Sequence, residues 1–311
     1  MPLTRDFTRS VLFIVEERTT AGGATEKIPI GTGFICSVKG EFDSDPIFHY
    51  LVTARHVVSH GRATWVRVNI SDTGTEDRPI PTKSWIGHPS QDVAVAPLAM
   101  TGMHDWRAIP AKALEEIATT PIDLEFGDRV YFVGLLPSIP EMGRRNIPMV
   151  RSGTLGALYQ DGIRLEIDPG KKVTVKAHLI DCRSYLGFSG SPCYVQRDTL
   201  ASPAPGQLAL GTRTYLLGLI SAHFPEPNDP MSHAGVGVVT ASEHIMEVIN
   251  GDMLKEDRRK RTESHRAATK DAPAVMDAAE ESFTRQAFED ALKKVSRKAK
   301  PSPPEPSSSG T

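Results

Sequence analysis

The sequence predicts an all-β protein whose antiparallel strands form a sandwich or a pair of barrels. Three observations between residues 10 and 240 predict this class: eleven short runs rich in β-branched and aromatic residues, turns of Gly, Pro, Asn and Asp between them, and scarce helical periodicity. Runs that recur every ten to twenty residues or so are typical of these architectures. In chain order the predicted strands are VLFIVEE, GTGFICSV, HYLVTA, TWVRVNI, DVAVAPL, RVYFVGLL, IRLEI, KVTVKAHLI, SPCYVQ, TYLLGLISA and GVGVVT.

Helical signals appear only after these strands. ASEHIMEVIN, residues 241–250, has apolar residues at positions that suit a short packed helix. Residues 251–281 are charged and nearly free of large apolar side chains, which predicts a flexible, solvated linker. Residues 282–298 place Phe, Ala, Leu and Val on one face of an amphipathic helix, with acids early and lysines late, as the helix dipole favours. Residues 299–311 are rich in Pro and Ser and are predicted to be disordered.

Composition narrows the function classes. The 311 residues can bury a large core and suggest two domains, or one double-barrel domain with extensions. The net charge of −2 gives no sign of a nucleic-acid-binding protein. The longest apolar runs, VLFIV at 11–15 and TYLLGLI at 214–220, are too short to cross a bilayer, and the N-terminal run lacks the features of a secretory signal.

The three cysteines indicate a reducing environment. Cys36, Cys182 and Cys193 are odd in number and cannot form a complete disulfide framework, which favours a cytoplasmic location. None of them has CxxC spacing, so we expect no metal site from these residues. We expect all three to be small buried hydrophobic residues.

Three segments carry residues that could cooperate in nucleophilic catalysis. His56 follows a predicted strand in HYLVTARHVVSH, Asp92 directly precedes another in GHPSQDVAVAPL, and Ser189 lies between two glycines in GFSGSP. A serine nucleophile needs a base to take its proton and a group that orients the base. Taken singly, the histidine is more simply a structural or exposed residue, and the acid and the serine are turn residues.

Together the three segments resemble the chymotrypsin-like (trypsin-like) serine proteases, in particular their bacterial members. Thr-Ala-x-His, Asp-Val-Ala and Gly-x-Ser-Gly-x-Pro occur in the chain order His, Asp, Ser that this family uses. The resemblance also includes the segments GTGFIC, LGLISAHF and HAGVGVVTASEHIMEVI, and it covers residues 8–250. It implies two six-stranded antiparallel β-barrels with the active site between them, and it leaves the C-terminal tail outside the domain.

The resemblance implies a serine endopeptidase that acts on polypeptides without a cofactor or a metal. Ser189 would be the nucleophile, His56 the general base and acid, and Asp92 the group that orients the imidazole. The backbone amides of Gly187 and Ser189 would form the oxyanion hole.

The resemblance also implies the position of a specificity pocket. Arg183, six residues before the nucleophile, would lie at its floor, and Ser221, Ala222 and His223 would form its wall. An arginine and a histidine there favour an acidic substrate side chain. Alternatively, Arg183 points to solvent and the pocket is small and apolar. Without an aspartate at the floor, we expect poor cleavage after Lys or Arg.

Two departures from the family pattern leave alternatives open. Phe188 stands where secreted members have an aspartate that pairs with a new N-terminus, and Val57 stands where they have a half-cystine. The loop is therefore either competent as synthesised or held inactive until something binds.

A different class of function is an inactive protease-like module that presents a peptide groove or recruits a protein partner through the helix at 282–298. An esterase with the same triad is a further alternative.

Overall fold

The computed structural model describes residues 5–42, 44–59, 61, 63–70, 74–114, 124–136, 145–183, 187–204, 207–226 and 229–271. By their internal contacts, residues 1–262 form one compact unit and residues 263–311 another.

The described residues are mostly strand, which confirms the all-β class. The strands are β1 (Val11–Thr19), β2 (Thr25–Lys39), β3 (Ile47–Thr53), β4 (Ala63–Ile70), β5 (Gly74–Pro79), β6 (Ile86–Gly87), β7 (Ala94–Pro97), β8 (Ile109–Pro110), β9 (Arg129–Gly134), β10 (Met149–Asp168), β11 (Lys171–Cys182), β12 (Pro192–Ala204), β13 (Gln207–Glu226) and β14 (Asp229–Ala241).

The strands form two sheets, one in each half of the first unit. The N-terminal sheet has the order β5-β4-β1-β2-β3-β7-β6, and β8 adds to β2 in parallel. It has eight strands in place of the expected six. The two additional strands are β6 and β8, which have only two residues each. The C-terminal sheet closes as a six-stranded antiparallel barrel in the order β10-β11-β14-β13-β12-β9. The predicted double-barrel architecture is confirmed.

The hydrophobic core is continuous between the two sheets. Side chains that alternate inward along β1, β2 and β3 pack together with Leu135, Tyr194 and Leu216 of the C-terminal half. A second cluster inside the closed barrel includes Phe132 and Cys193. All three cysteines are buried and unpaired, as expected. This shared core joins the two halves.

Two short helices follow strands. Arg55–Val58 forms a one-turn helix, α2, directly after β3, and its two valines are buried. Ser242–Ile249 forms α3 at the end of β14 and packs against β13 and β7. This helix agrees with the one predicted at 241–250. A further short helix, α1, spans Arg5–Thr8, and a 3-10 turn spans Thr82–Ser84.

The predicted linker at 251–281 is wrong over most of its length, because Asp252–Asp271 forms a helix, α4. Its sequence contains neither Gly nor Pro and is rich in good helix formers. Ion pairs one turn apart join Glu256 to Lys260 at 3.4 Å and Asp257 to Arg261 at 3.1 Å. The helix predicted at 282–298 and the disordered tail at 299–311 lie outside the described residues, so those predictions stand untested. Among the described residues, no helix is long and apolar enough to span a membrane.

Candidate active site

His56 and Asp92 meet where two elements of the N-terminal sheet end. His56 lies in the one-turn helix after β3, and Asp92 lies two residues before β7, which pairs with β3. One carboxylate oxygen of Asp92 accepts a hydrogen bond from the His56 backbone amide at 2.9 Å, and the other lies 2.8 Å from His56 Nδ1. Asp92 is 1% exposed, whereas the His56 side chain is 30% exposed. The contact fixes the ring through Nδ1 and leaves Nε2 available to another group.

The electrostatics of this pair increase the basicity of the histidine. Burial alone would lower the pKa of His56, but the charge of Asp92 and its hydrogen bond outweigh burial and raise that pKa above its ordinary value. A raised pKa makes His56 a stronger base.

Ser189 lies in a loop whose backbone requires glycine at two positions. Gly187 has φ of +99° and Gly190 has φ of +88°, both in the region that side chains disfavour. A Cβ atom at Gly190 would also lie 2.0 Å from the carbonyl oxygen of Thr32. Ser189 is half-buried, while Ser191 is 0% exposed. Of the two serines in GFSGSP, Ser189 is therefore the more accessible to a substrate.

Thr32 of β2 fixes this loop against the N-terminal sheet. Its amide donates to the carbonyl oxygen of Ser189 at 3.0 Å, and its hydroxyl donates to the carbonyl oxygen of Gly187 at 2.7 Å. The same hydroxyl accepts a hydrogen bond from the Leu135 amide at 3.1 Å, next to β9 of the barrel. Thr32 is 0% exposed, so this link between the two halves is shielded from water.

Phe188 anchors the loop on its other side. Its ring is fully buried in the closed barrel and makes an edge-to-face contact with Phe132, with the ring centroids 5.5 Å apart. A Cβ atom at Gly134 would lie 2.3 Å from this ring, so the absence of a side chain there makes room for it. Apolar packing thus occupies the position where secreted members have a charged group.

Two amides of the loop donate to no group in the part of the chain that the structure describes. The next two amides along the chain are used: Gly190 donates to Ile220 at 2.7 Å and Ser191 donates to Phe188 at 2.9 Å. By contrast, neither Gly187 nor Ser189 donates a backbone amide hydrogen bond within the described ranges. These are the two amides that the family resemblance assigns to the oxyanion hole. In the same part of the chain, no hydrogen bond joins the Ser189 hydroxyl to His56.

The residues expected around the specificity pocket differ in their exposure. Arg183 directly follows β11 and is exposed. On β13, Ala222 and His223 are half-buried. The hydroxyl of Ser221 is buried in a hydrogen bond with the Thr240 hydroxyl on β14, which leaves it unavailable to a substrate. Residues 184–186, which follow Arg183 in the chain, lie outside the described residues.

A group of possible metal ligands lies beside the Asp92 turn. Ligand atoms of His88, His244 and Glu247 lie within 4.8 Å of one another. However, His88 Nδ1 accepts hydrogen bonds from the amides of Ser90 at 3.2 Å and Gln91 at 2.9 Å, so the proton of the neutral ring is on Nε2. That proton points to Glu247 at 2.6 Å and occupies the position that a metal would need. The hydrogen bonds of His88 therefore do not fit a metal ligand.

Thr32 and His88 are two residues beside the candidate site that the sequence motifs do not indicate. Thr32 lies inside the quoted GTGFIC segment, but its partners are more than 100 residues away in the chain. His88 precedes Asp92 by four residues, and the spacing alone gives no reason to connect them.

Comparisons with known proteins found several solved structures that are similar to this chain. Among solved structures, the MamO protease domain of Magnetospirillum magneticum is similar, with 16% identity and a TM-score of 0.46 over 79% of this chain and 98% of its own. The HtrA-type protease AlgW has 14% identity and a TM-score of 0.45, over 84% of this chain and 66% of its own. The Rv3671c protease of M. tuberculosis has 18% identity and a TM-score of 0.43, over 78% of this chain and 80% of its own. No curated protein sequence matches the chain.

The sequence profile of the trypsin-like peptidase domain matches residues 31–200, more than half of the chain. This span contains all three candidate catalytic residues, His56, Asp92 and Ser189. The chain belongs to the family of trypsin-like peptidase domains.

Proposed function

We propose that the chain is a serine endopeptidase that acts through His56, Asp92 and Ser189. The observation that carries the proposal is the double contact of Asp92 with His56, beside a serine loop in which two amides donate to no group within the described residues. Asp92 holds the imidazole so that Nε2 is free to accept a proton. The proposal also keeps the cytoplasm as the compartment, since three buried thiols without disulfides suit a reducing environment.

In this mechanism His56 Nε2 removes the proton of the Ser189 hydroxyl while the oxygen attacks the substrate carbonyl carbon. The negative charge that develops on the carbonyl oxygen is stabilised by the amides of Gly187 and Ser189. The tetrahedral intermediate then breaks its C–N bond, and His56 returns the proton to the leaving amine. Water attacks the resulting acyl-enzyme by the same route, which releases the second product and restores Ser189.

The pocket is expected to disfavour Lys and Arg, as no aspartate lies at its proposed floor. The exposed position of Arg183 supports the alternative of a small apolar pocket over an acidic specificity. Binding of a protein partner by residues 282–298 stays a prediction.

The inactive module is the second candidate, and the missing hydrogen bond between Ser189 and His56 favours it. In unliganded active sites this contact is often loose. A measurement of peptide cleavage is therefore needed to distinguish an active protease from an inactive module. The experiment compares cleavage of a proteome-derived peptide library by the full chain with cleavage by Ser189→Ala and Ser191→Ala. We expect cleavage by the wild type and by Ser191→Ala, and a loss of about 10⁶ in kcat in Ser189→Ala. No cleavage by folded wild-type protein, or equal cleavage by Ser189→Ala, would refute the proposal.

A further inference from the structure

We propose that His88 is a positioning residue that holds Asp92, and through it His56, in the catalytic arrangement. The inference rests on the proposed function, because it concerns the same triad. It assigns a role to a histidine that does not itself touch Ser189 or His56 in the described structure.

His88 organises the turn that leads to Asp92. Its amide donates to the carbonyl oxygen of Val93 at 2.8 Å and closes the turn. Inside the turn its Nδ1 atom accepts from the amides of Ser90 and Gln91 at 3.2 and 2.9 Å. Asp92 is the next residue, so its backbone direction depends on these hydrogen bonds.

The other side of the His88 ring is fixed by α3. Nε2 donates to Glu247 at 2.6 Å, and the same carboxylate oxygen of Glu247 lies 3.0 Å from Nδ1 of His244. Burial lowers the pKa of His88, which keeps the ring neutral and Nδ1 free to accept. Burial would favour the neutral form of Glu247, but the hydrogen bonds from His244 and His88 outweigh it and lower that pKa. The ring is thereby clamped between a charged acceptor and two backbone donors.

The backbone of His88 is tied to the neighbour of the catalytic histidine. Arg55 directly precedes His56, and its guanidinium donates to the carbonyl oxygen of His88. The same guanidinium donates to both carboxylate oxygens of Asp168, at 3.1 and 2.6 Å. His88 is thus connected to both members of the pair, to Asp92 through the turn and to His56 through Arg55.

Removing the ring leaves the turn without its internal acceptor. His88 is 8% exposed and Gln91 is 9% exposed, so their amides and ring have little water to replace lost partners. The turn is expected to rearrange and to move Asp92 away from His56. A displacement of about 1 Å is enough to reduce the rate by about 10²-fold.

The first test measures the pKa of His56 by NMR in the full chain carrying Ser189→Ala, which removes any dependence on activity. Because Asp92 raises that pKa, we expect His88→Leu to lower it by about one unit. His88→Asn keeps a side-chain oxygen that can accept the turn amides, so we expect at most half of this shift. Glu247→Ala, which removes the outer anchor, is expected to lower the pKa as well, and it provides the test if His88→Leu does not fold.

His104 provides a matched control beside the same sheet, where it forms an isolated bridge with Ile70. Its Nδ1 accepts from the Thr101 amide at 3.3 Å, and its Nε2 lies 2.9 Å from Glu76, yet no triad residue belongs to its turn. We expect His104→Leu to leave the His56 pKa unchanged. An unchanged pKa in folded His88→Leu or in Glu247→Ala, or an equal shift in His104→Leu, would overturn the proposal.

The second test measures kcat and KM with Ser189 present. We expect His88→Leu to lower kcat by about 10- to 100-fold with little change in KM, and His88→Asn to recover most of the loss. If the wild type cleaves peptides but the His56 pKa does not respond to His88, the positioning role alone is wrong. If the pKa responds but the wild type cleaves nothing, the proposed function is wrong and the positioning role stands.

Discussion

At the residue scale, one threonine hydroxyl sets the shape of the proposed oxyanion hole. Thr32 donates to the Gly187 carbonyl oxygen at 2.7 Å, and the Gly187 amide itself donates to no group within the described residues. Because this hydrogen bond holds the Gly187 carbonyl oxygen, we expect it to limit rotation of the neighbouring backbone when a substrate binds.

Replacing Thr32 by Val tests this role. The change keeps the shape but leaves the Gly187 carbonyl and the Leu135 amide without their buried partner, so we expect a stability loss of about 1–3 kcal/mol. We also expect kcat to fall by about tenfold or more, because the loop is no longer fixed. Thr32→Ser keeps the hydroxyl and should retain kcat. Equal kcat values for the wild type and Thr32→Val in steady-state assays would contradict this role.

The candidate site could be predicted from the sequence only in part. His56, Asp92 and Ser189 belong to short motifs, because the chemistry and the local backbone both restrict the residues around them. Thr32 and His88 act through hydrogen bonds that depend on folding, and a threonine in a strand or a histidine in a turn has no distinctive local pattern. Neither residue can therefore be assigned to the candidate site from the sequence alone.

At the element scale, α4 shows how a helix can be missed when its apolar contact is small. Its sequence is charged almost throughout, which predicted a linker. The structure attaches it through Leu254, which is 2% exposed, and through Arg258, which donates to the Tyr50 hydroxyl at 3.0 Å and to the Ile249 carbonyl oxygen at 2.8 Å. One buried leucine in twenty residues is too weak a signal for helical periodicity.

Two adjacent residues test whether this attachment contributes to stability. Leu254→Ala removes buried methyl groups and leaves a cavity, so we expect a loss of about 2–4 kcal/mol. Met253 is 66% exposed, and Met253→Ala should change stability by less than about 0.5 kcal/mol. Urea unfolding of both variants measures the difference. Equal stabilities would mean that the start of α4 is not part of the folded domain.

At the scale of the whole molecule, the two halves are joined next to the candidate site. Arg55 of the N-terminal half forms a two-bond ion pair with Asp168 at the end of β10, and both side chains are half-buried, at 20% and 26% exposure. The double-barrel fold itself could be predicted from the strand pattern and the motifs. This ion pair could not, because 113 residues separate the partners.

Asp168→Asn tests whether the link between the halves supports catalysis. The matched control is Asp77→Asn, since Asp77 pairs with Arg67 in the same two-bond way at similar exposure but within one hairpin. We expect each change to cost about 1 kcal/mol or less in stability. Only Asp168→Asn should lower kcat/KM, by severalfold, because Arg55 adjoins His56. The prediction fails if kcat/KM responds equally to both substitutions, or to neither.

The central claim is that Ser189 is a nucleophile activated by His56. The most direct measurement is reaction of the full chain with a fluorophosphonate probe, followed by peptide mapping of the labelled residue by mass spectrometry. We predict a single modification on Ser189 in the wild type and in Ser191→Ala, and none in His56→Ala or Ser189→Ala. A folded wild-type chain that takes up no label, or takes it up on another residue, would contradict the account.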